Sequence, residues 1–200
     1  VPIPTWSTYI EQIKLCGATP ILVSLEPPFR LTAEDLEKRI TQKTKVIILN
    51  SPSNPTGAMI EKEELIKMAK LAAEKRIFVI SDEIYEKITF GEKPHSIASL
   101  GKKIKELTVT INGFSKSYAM TGWRIGYAAG PKEIIEAMVS LQSQTTSNTS
   151  SIAQKAALAA LSGSQEPVEL MRLEFEKRRG YLIRELSKIK EISFVPPNGA

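Results

Sequence analysis

The stretch Gly113-Phe114-Ser115-Lys116-Ser117-Tyr118-Ala119-Met120-Thr121-Gly122-Trp123-Arg124-Ile125-Gly126 carries more of the reading than any other part of this chain. A lone lysine leaves a predicted strand over residues 107–111, flanked by small and hydroxyl side chains. An arginine follows eight positions later, immediately before another apolar strand at 125–129. A solvated loop lysine needs no such setting. A lysine that forms a Schiff base does, because its amine must be held, partly desolvated and aimed at a carbonyl carbon. Arg124 then offers a cation able to grip a phosphate with two hydrogen bonds.

Three further elements lie upstream. The run Asn50-Ser51-Pro52-Ser53-Asn54-Pro55-Thr56-Gly57 follows an apolar stretch at 46–49, so a buried strand ends in a tight loop marked by turn dipeptides. The run Ile77-Phe78-Val79-Ile80-Ser81-Asp82-Glu83-Ile84-Tyr85 places acidic residues at the end of a buried strand. Open α/β sheets place their ligands at such carboxyl ends. Glu83 and Glu86 read as structural or solvated, since one buried anion suits a single cationic partner. Near the start, Pro4-Thr5-Trp6-Ser7 offers an aromatic face, with core or interface packing as the competing reading.

Taken together, these four elements resemble the class I pyridoxal-phosphate-dependent aminotransferases, closest to the bacterial and archaeal aspartate and aromatic branch. The resemblance covers nearly the whole chain. It implies that Lys116 carries pyridoxal phosphate as an internal aldimine. It further implies that Asp82 pairs with the pyridine nitrogen, that Tyr85 and Asn54 bond the ring 3-oxygen, that Arg124 binds the phosphate and that Trp6 stacks on the ring. An amide donor such as Asn54 stabilises the ring oxygen without adding charge. The family often has a serine three residues before the lysine for the phosphate; Gly113 stands there, and Ser115 is the candidate to help instead. Gly122 and Gly126 lack the strand–loop–helix context of a dinucleotide-binding loop.

Around these motifs the elements alternate. Strands are expected over 21–25, 46–49, 77–81, 107–111 and 125–129. Helices are expected from Ala33 to residue 40 or beyond, over 63–75, 132–142 and 151–161. Thr32-Ala33-Glu34-Asp35 resembles a capping box with Asp in place of Glu. Leu65, Met68, Ala69 and Ala72 share one helical face. This order predicts an α/β fold, a mostly parallel sheet with helices on both faces. After Ser162-Gly163-Ser164, a long helix carries Val168, Met171, Phe175, Leu182, Leu186 and Ile189 as a core-packing stripe, and a short strand is expected at 192–195. By resemblance, residues 1–163 form the large cofactor-binding domain and 164–200 the linking helix and the start of a small α+β domain.

The 200 residues are 42% hydrophobic and 24% charged, ordinary for a globular chain, and the net charge of +5 is spread among acidic residues. With no block of like charge, a nucleic-acid surface is disfavoured. No apolar run reaches membrane-spanning length and no signal peptide opens the chain, so membrane association is not expected and the cytoplasm is the default. The single cysteine, Cys16, excludes an internal disulfide and reads as a small buried residue. His95 lies in a polar loop.

The resemblance implies amino acid and 2-oxo acid substrates, with aspartate or an aromatic acid favoured, and a homodimer in the full-length protein. Judged against the family, the chain looks cut at both ends, lacking an N-terminal phosphate loop, a tyrosine given by the partner subunit and a C-terminal substrate-binding arginine. Two alternatives stay open: a β-eliminating lyase that uses the same site, and a non-catalytic large-domain fragment.

Overall fold

Short β-branched runs bounded by turn residues become strands here because their side chains fill both faces of a covered sheet. The computed structural model describes all 200 residues. Along the chain run β1 (Pro2–Ile3), α1 (Thr8–Leu15), β2 (Val23–Ser24), α2 (Ala33–Glu37), β3 (Val46–Asn50), α3 (Lys62–Lys75) and β4 (Phe78–Asp82). A 3-10 turn (Ile97–Leu100) leads into α4 (Lys102–Lys105), β5 (Thr108–Gly113), a second 3-10 turn (Thr121–Trp123), β6 (Gly126–Ala129), α5 (Lys132–Thr145), α6 (Ser151–Ser162) and α7 (Glu166–Leu186).

The main sheet has the order β3-β4-β5-β6. The first three strands are parallel and β6 is antiparallel to β5. The register sets Asn50 beside Asp82 and Asp82 beside Ile111, so the carboxyl ends of the three parallel strands lie abreast. β1 and β2 form a separate parallel pair.

α3 shows why this half is firmly built. Glu63 and Glu64 stand in its first turn and Lys75 in its last, both favourable to the helix dipole, and Arg76 closes it in the left-handed region at φ 51°. Leu65, Met68, Ala69, Leu71 and Ala72 are buried. They join Ile47, Leu49, Val79, Leu36, Ile97 and Ile104 in one cluster. Ile48, between Ile47 and Leu49, is buried outside that cluster, as the two-residue period of a strand requires. The capping box at Thr32 is formed in full, with Asp35 answering the Thr32 backbone. α2 stops at Glu37, short of the expected residue 40, and its Ala33 N–H donates to Glu64 Oε2 on α3 at 2.7 Å.

β6 and the helices after it are packed more thinly. Phe114, Met120 and Ala157 of α6 form a small cluster of their own. The stripe on α7 corrects the expectation of a packed core: Val168 is buried, but Phe175 and Leu182 are exposed, as is Ile189 beyond the helix. Residues 192–195 form no strand, because no other strand of the chain lies beside them. The only ladder contact of the C-terminal segment is a bridge from Gly199 to Thr89. Cys16, expected to be buried, is exposed just past the end of α1. No helix is long and apolar enough to cross a membrane.

Candidate active site

Asp82 ends β4, where the strand leaves the core cluster, and its carboxylate is buried. Three groups hold it. The Tyr9 hydroxyl donates to Oδ2, the Ile84 N–H donates to Oδ1 at 3.1 Å, and Asn50 Nδ2 donates to the Asp82 carbonyl at 3.1 Å. Tyr9 is itself buried, and burial together with the bond to Asp82 pushes its hydroxyl far above the ordinary tyrosine range. Tyr9 therefore keeps its proton and donates it in the hydrogen bond to Asp82. An anion so placed is ready for a cationic partner on its remaining side.

Asn54 is brought towards Asp82 by Asn50. The Asn50 side-chain oxygen accepts from the Asn54 N–H at 2.8 Å while its amide nitrogen reaches Asp82, so one side chain ties the loop to the strand end. The turn closes through Gly57, whose N–H donates to Ser53 at 2.8 Å and whose φ of 66° favours glycine. Tyr85 follows Asp82 by one turn, and its ring lies 5.7 Å from Lys116 Nζ.

Lys116 owes its position to Phe114. The chain after β5 folds back on this buried ring: the Tyr118 and Met120 N–H groups both donate to the Phe114 carbonyl, and the Ala119 N–H donates to that of Lys116. The fold-back needs Ala119 at φ 53° and Arg124 at φ 51°. Left-handed conformations cost a non-glycine residue about 1–2 kcal/mol each. Strain is thus concentrated in the run that presents both cations. Thr121 Oγ1 braces this turn by donating to the Ser115 carbonyl at 2.8 Å, and Arg124 donates to the Thr121 carbonyl at 3.0 Å. Lys116 and Arg124 are both exposed, and Ser115 is half-buried.

Gly113 is accounted for by packing. It pairs with Gly126 across β5 and β6, and a Cβ on Gly113 would sit 3.1 Å from the Gly126 Cα and 3.2 Å from Ile84 Cδ1. A serine there would force the strands or Ile84 to give way. Trp6 stands edge-on to Tyr9 with ring centroids 5.3 Å apart, and it is 45% exposed, so one ring face is open.

The structure thus brings Asp82, Asn54, Tyr85 and Lys116 to one end of the sheet, with Trp6 reaching it through Tyr9 and Arg124 and Ser115 through the Thr121 turn. Two contributors escaped the sequence reading. Tyr9 had a faint signal, three residues after Trp6 at the start of a helix, where such a pair shares a face. Asn50 had the signal of an amide at the last position of a buried strand. Glu83 is structural, as expected, and it is buried: Oε1 accepts from Ser81 at 2.8 Å and from Ser96 at 2.7 Å.

The donor set is specific in its chemistry. It combines a primary amine and a guanidinium, neither in an ion pair with a carboxylate, with a buried carboxylate and an open aromatic face. It fits a ligand with an aldehyde, an anionic group and a protonated ring nitrogen. The chain matches the family described as aminotransferase class I and II over residues 1–200. The aspartate aminotransferase of Bacillus subtilis (strain 168) is 51% identical to it over 203 residues, covering 100% of this chain and 52% of that protein. The probable aspartate/prephenate aminotransferase of Aquifex aeolicus (strain VF5) is 48% identical at the same coverage. The crystal structure of Thermus thermophilus aspartate aminotransferase with maleate superposes with a TM-score of 0.95 at 40% identity, covering all of this chain and 52% of the other. The chain therefore spans about half the length of the relatives it matches. With the lysine run, the Asn54 loop and the buried Asp82 assembled at one strand end, and with this match along its whole length, the chain belongs to the class I and II aminotransferases.

Proposed function

We propose that this chain is the cofactor-binding part of a pyridoxal-phosphate-dependent enzyme that moves an amino group between an amino acid and a 2-oxo acid, attaching the cofactor at Lys116. The observation that carries the reading is Lys116 Nζ lying 5.7 Å from the Tyr85 ring, at the strand end where Asp82 is buried beneath Tyr9. When bound, pyridoxal phosphate supplies the sink for the electrons released as the substrate Cα–H bond breaks.

The chain's own residues do the rest. Lys116 Nζ would tether the cofactor and, as a free amine, would take the proton from the substrate Cα and deliver it to the cofactor carbon beside it. One amine in both roles gains from proximity. Asp82 would pair with the ring nitrogen, its carboxylate oriented by Tyr9 and Ile84 and its backbone carbonyl fixed by Asn50. Asn54 and Tyr85 donate to the ring 3-oxygen. Arg124 binds the phosphate with its free guanidinium N–H groups, with Ser115 beside it, and Trp6 offers its open face to the ring.

For the whole protein we infer aspartate, an aromatic amino acid or prephenate as the substrate class, supported by the names of the relatives. A cytoplasmic homodimer is inferred with it, the exposed apolar side chains of α5, α6 and α7 being surface that a second copy could cover. Within the chain we infer a division near residue 163, between the sheet domain and the linking helix α7.

An absorbance titration with pyridoxal phosphate tests the reading. A saturable visible band in the parent and none in Lys116→Ala is expected, followed by oxo-acid formation that continues past one equivalent per site only when an amino-group acceptor is added. Equal spectra for the two proteins would overturn the assignment of Lys116. Oxo-acid release beyond one equivalent per site without an acceptor would overturn transamination.

A further inference from the structure

Residues 197–199 lie against the two loops that carry Asn54 and Tyr85. The segment runs between them and bonds both. On one side the N–H groups of Asn198 and Gly199 donate to the Gly57 carbonyl at 2.8 and 3.1 Å. On the other, the Phe90 N–H donates to the Asn198 carbonyl at 2.8 Å, and the Ala200 N–H donates to that of Ile88 at 3.0 Å. Each loop carries a site residue one turn away. Gly57 closes the turn that holds Asn54, and the Ile88 N–H donates to the Tyr85 carbonyl at 2.8 Å.

The fit leaves no slack. A Cβ on Gly57 would lie 2.3 Å from Pro197 Cβ, and one on Gly199 would lie 2.6 Å from the Ile88 carbonyl oxygen and 2.7 Å from Pro52 Cγ. Backbone atoms and proline rings cannot rotate away, so the spacing of the two loops is set by the thickness of the inserted segment. α7 holds that segment from outside. Arg179 Nε donates to the Pro197 carbonyl at 2.6 Å, with its guanidinium 5.5 Å from the Phe90 ring, and Arg172 donates to the Thr89 carbonyl at 3.3 Å.

We propose that the 197–199 segment is a clasp whose Gly57 and Gly199 contacts position Asn54 and Tyr85 together on the cofactor's ring oxygen. The proposal rests on the cofactor reading above. Neither glycine touches the reacting atoms; both are positioning residues. Separating the loops pulls two donors from one oxygen at once, and a displacement of about 1 Å can cost up to about 10²-fold where geometry is tuned. An oxygen that loses donors becomes more basic, because hydrogen bonds to the charged form had favoured it.

The test compares Gly199→Ala and Arg179→Met with Gly180→Ala, whose added Cβ meets nothing within 4 Å. Two readouts are taken: the pH titration of the visible band of the lysine-bound cofactor, and amide exchange in the cofactor-free protein. Gly199→Ala is expected to move the titration to higher pH and weaken cofactor binding about tenfold, the equivalent of about 1.4 kcal/mol. Arg179→Met, which adds no volume, should shift it in the same direction by less, and Gly180→Ala should match the parent. In the cofactor-free Arg179→Met protein, loops 53–58 and 88–90 should lose protection together. A folded Gly199→Ala protein with the parent's titration overturns the proposal, as does independent loss of protection in the two loops. If the parent itself shows no lysine-bound band, the cofactor reading fails, while the exchange result still decides whether the clasp couples the loops.

Discussion

The two sides of the sheet are built to different standards, and the site straddles them. Beneath α3, a cluster of 15 buried residues joins β3, β4, α2 and the 97–104 segment, whereas the β5–β6 side has a cluster of three, Phe114, Met120 and Ala157. The anion belongs to the first side: Asp82 is buried and its bonds are made. The cations belong to the second: Lys116 and Arg124 are exposed on a turn containing two left-handed non-glycine residues. The difference separates two tasks. On the proposed function, a carboxylate that pairs with a ring nitrogen gains from a rigid, preformed seat. A lysine that is bonded, released and bonded again needs reach, and a strained turn over a small cluster supplies it.

Removing volume on each side should give very unequal losses. Met68, 1% exposed beneath α3, should cost about 2–5 kcal/mol as Met68→Ala. Leu158→Ala on α6, at 57% exposure, should stay within about 0.5 kcal/mol. Urea denaturation of both variants checks this, and comparable losses would show that the thin side is not thin.

Next is the bond that makes the anion's seat. Tyr9→Phe keeps the packing against Trp6 but removes the donor to Asp82 Oδ2, leaving only the Ile84 N–H on Oδ1. A hydrogen bond to a charged group contributes about 1.5–3 kcal/mol, and a loss in that range is expected in urea together with weaker cofactor binding. A Tyr9→Phe protein with parental affinity would make the buried tyrosine a packing residue only.

Smaller effects sharpen the picture away from the site. Thr32→Ala removes the capping box of α2 and should cost about 1 kcal/mol near neutral pH. The Thr32 hydroxyl is the main reason why the Asp35 carboxyl titrates below its ordinary value of 3.8. A depressed carboxyl contributes stability above its unfolded value and loses it as pH falls. Denaturation midpoints of parent and variant should therefore converge as the pH drops below that value.

Glu83 has the opposite sign. Burial pushes it above the ordinary 4.5, against the hydrogen bonds from Ser96 and Ser81, so the folded state binds its proton more tightly than the unfolded chain does. Stability from this group is greatest below the unfolded value and falls as pH rises through the folded one. Glu83→Gln, still able to accept from both serines, should match the parent in acid and gain on it toward neutrality. A variant less stable than the parent at pH 7 would mean that the ionised carboxylate is needed.

The sheet was legible because its strands are apolar runs that end in turn dipeptides, and α3 because four apolar residues mark one face. The Lys116 run, the Asn54 loop and the Asp82 strand end were legible as local patterns. Tyr9 was not, because its partner lies 73 residues away and no local pattern encodes that contact. The clasp was hidden for the same reason, since Gly57 and Gly199 meet only in space. The stripe on α7 misled because periodicity reports that a face is apolar, not what covers it. At 192–195 the alternation of a strand is present, but a strand also needs a neighbour.

On the proposed function, Lys116 alone among the lysines forms the bond to the cofactor. Loading the protein with pyridoxal phosphate, reducing it with borohydride and mapping the modified peptide by mass spectrometry tests this directly. One stable adduct per chain is expected, on Lys116 of the peptide containing Phe114 and Ser115. An adduct on another lysine, or label spread over several, would contradict it.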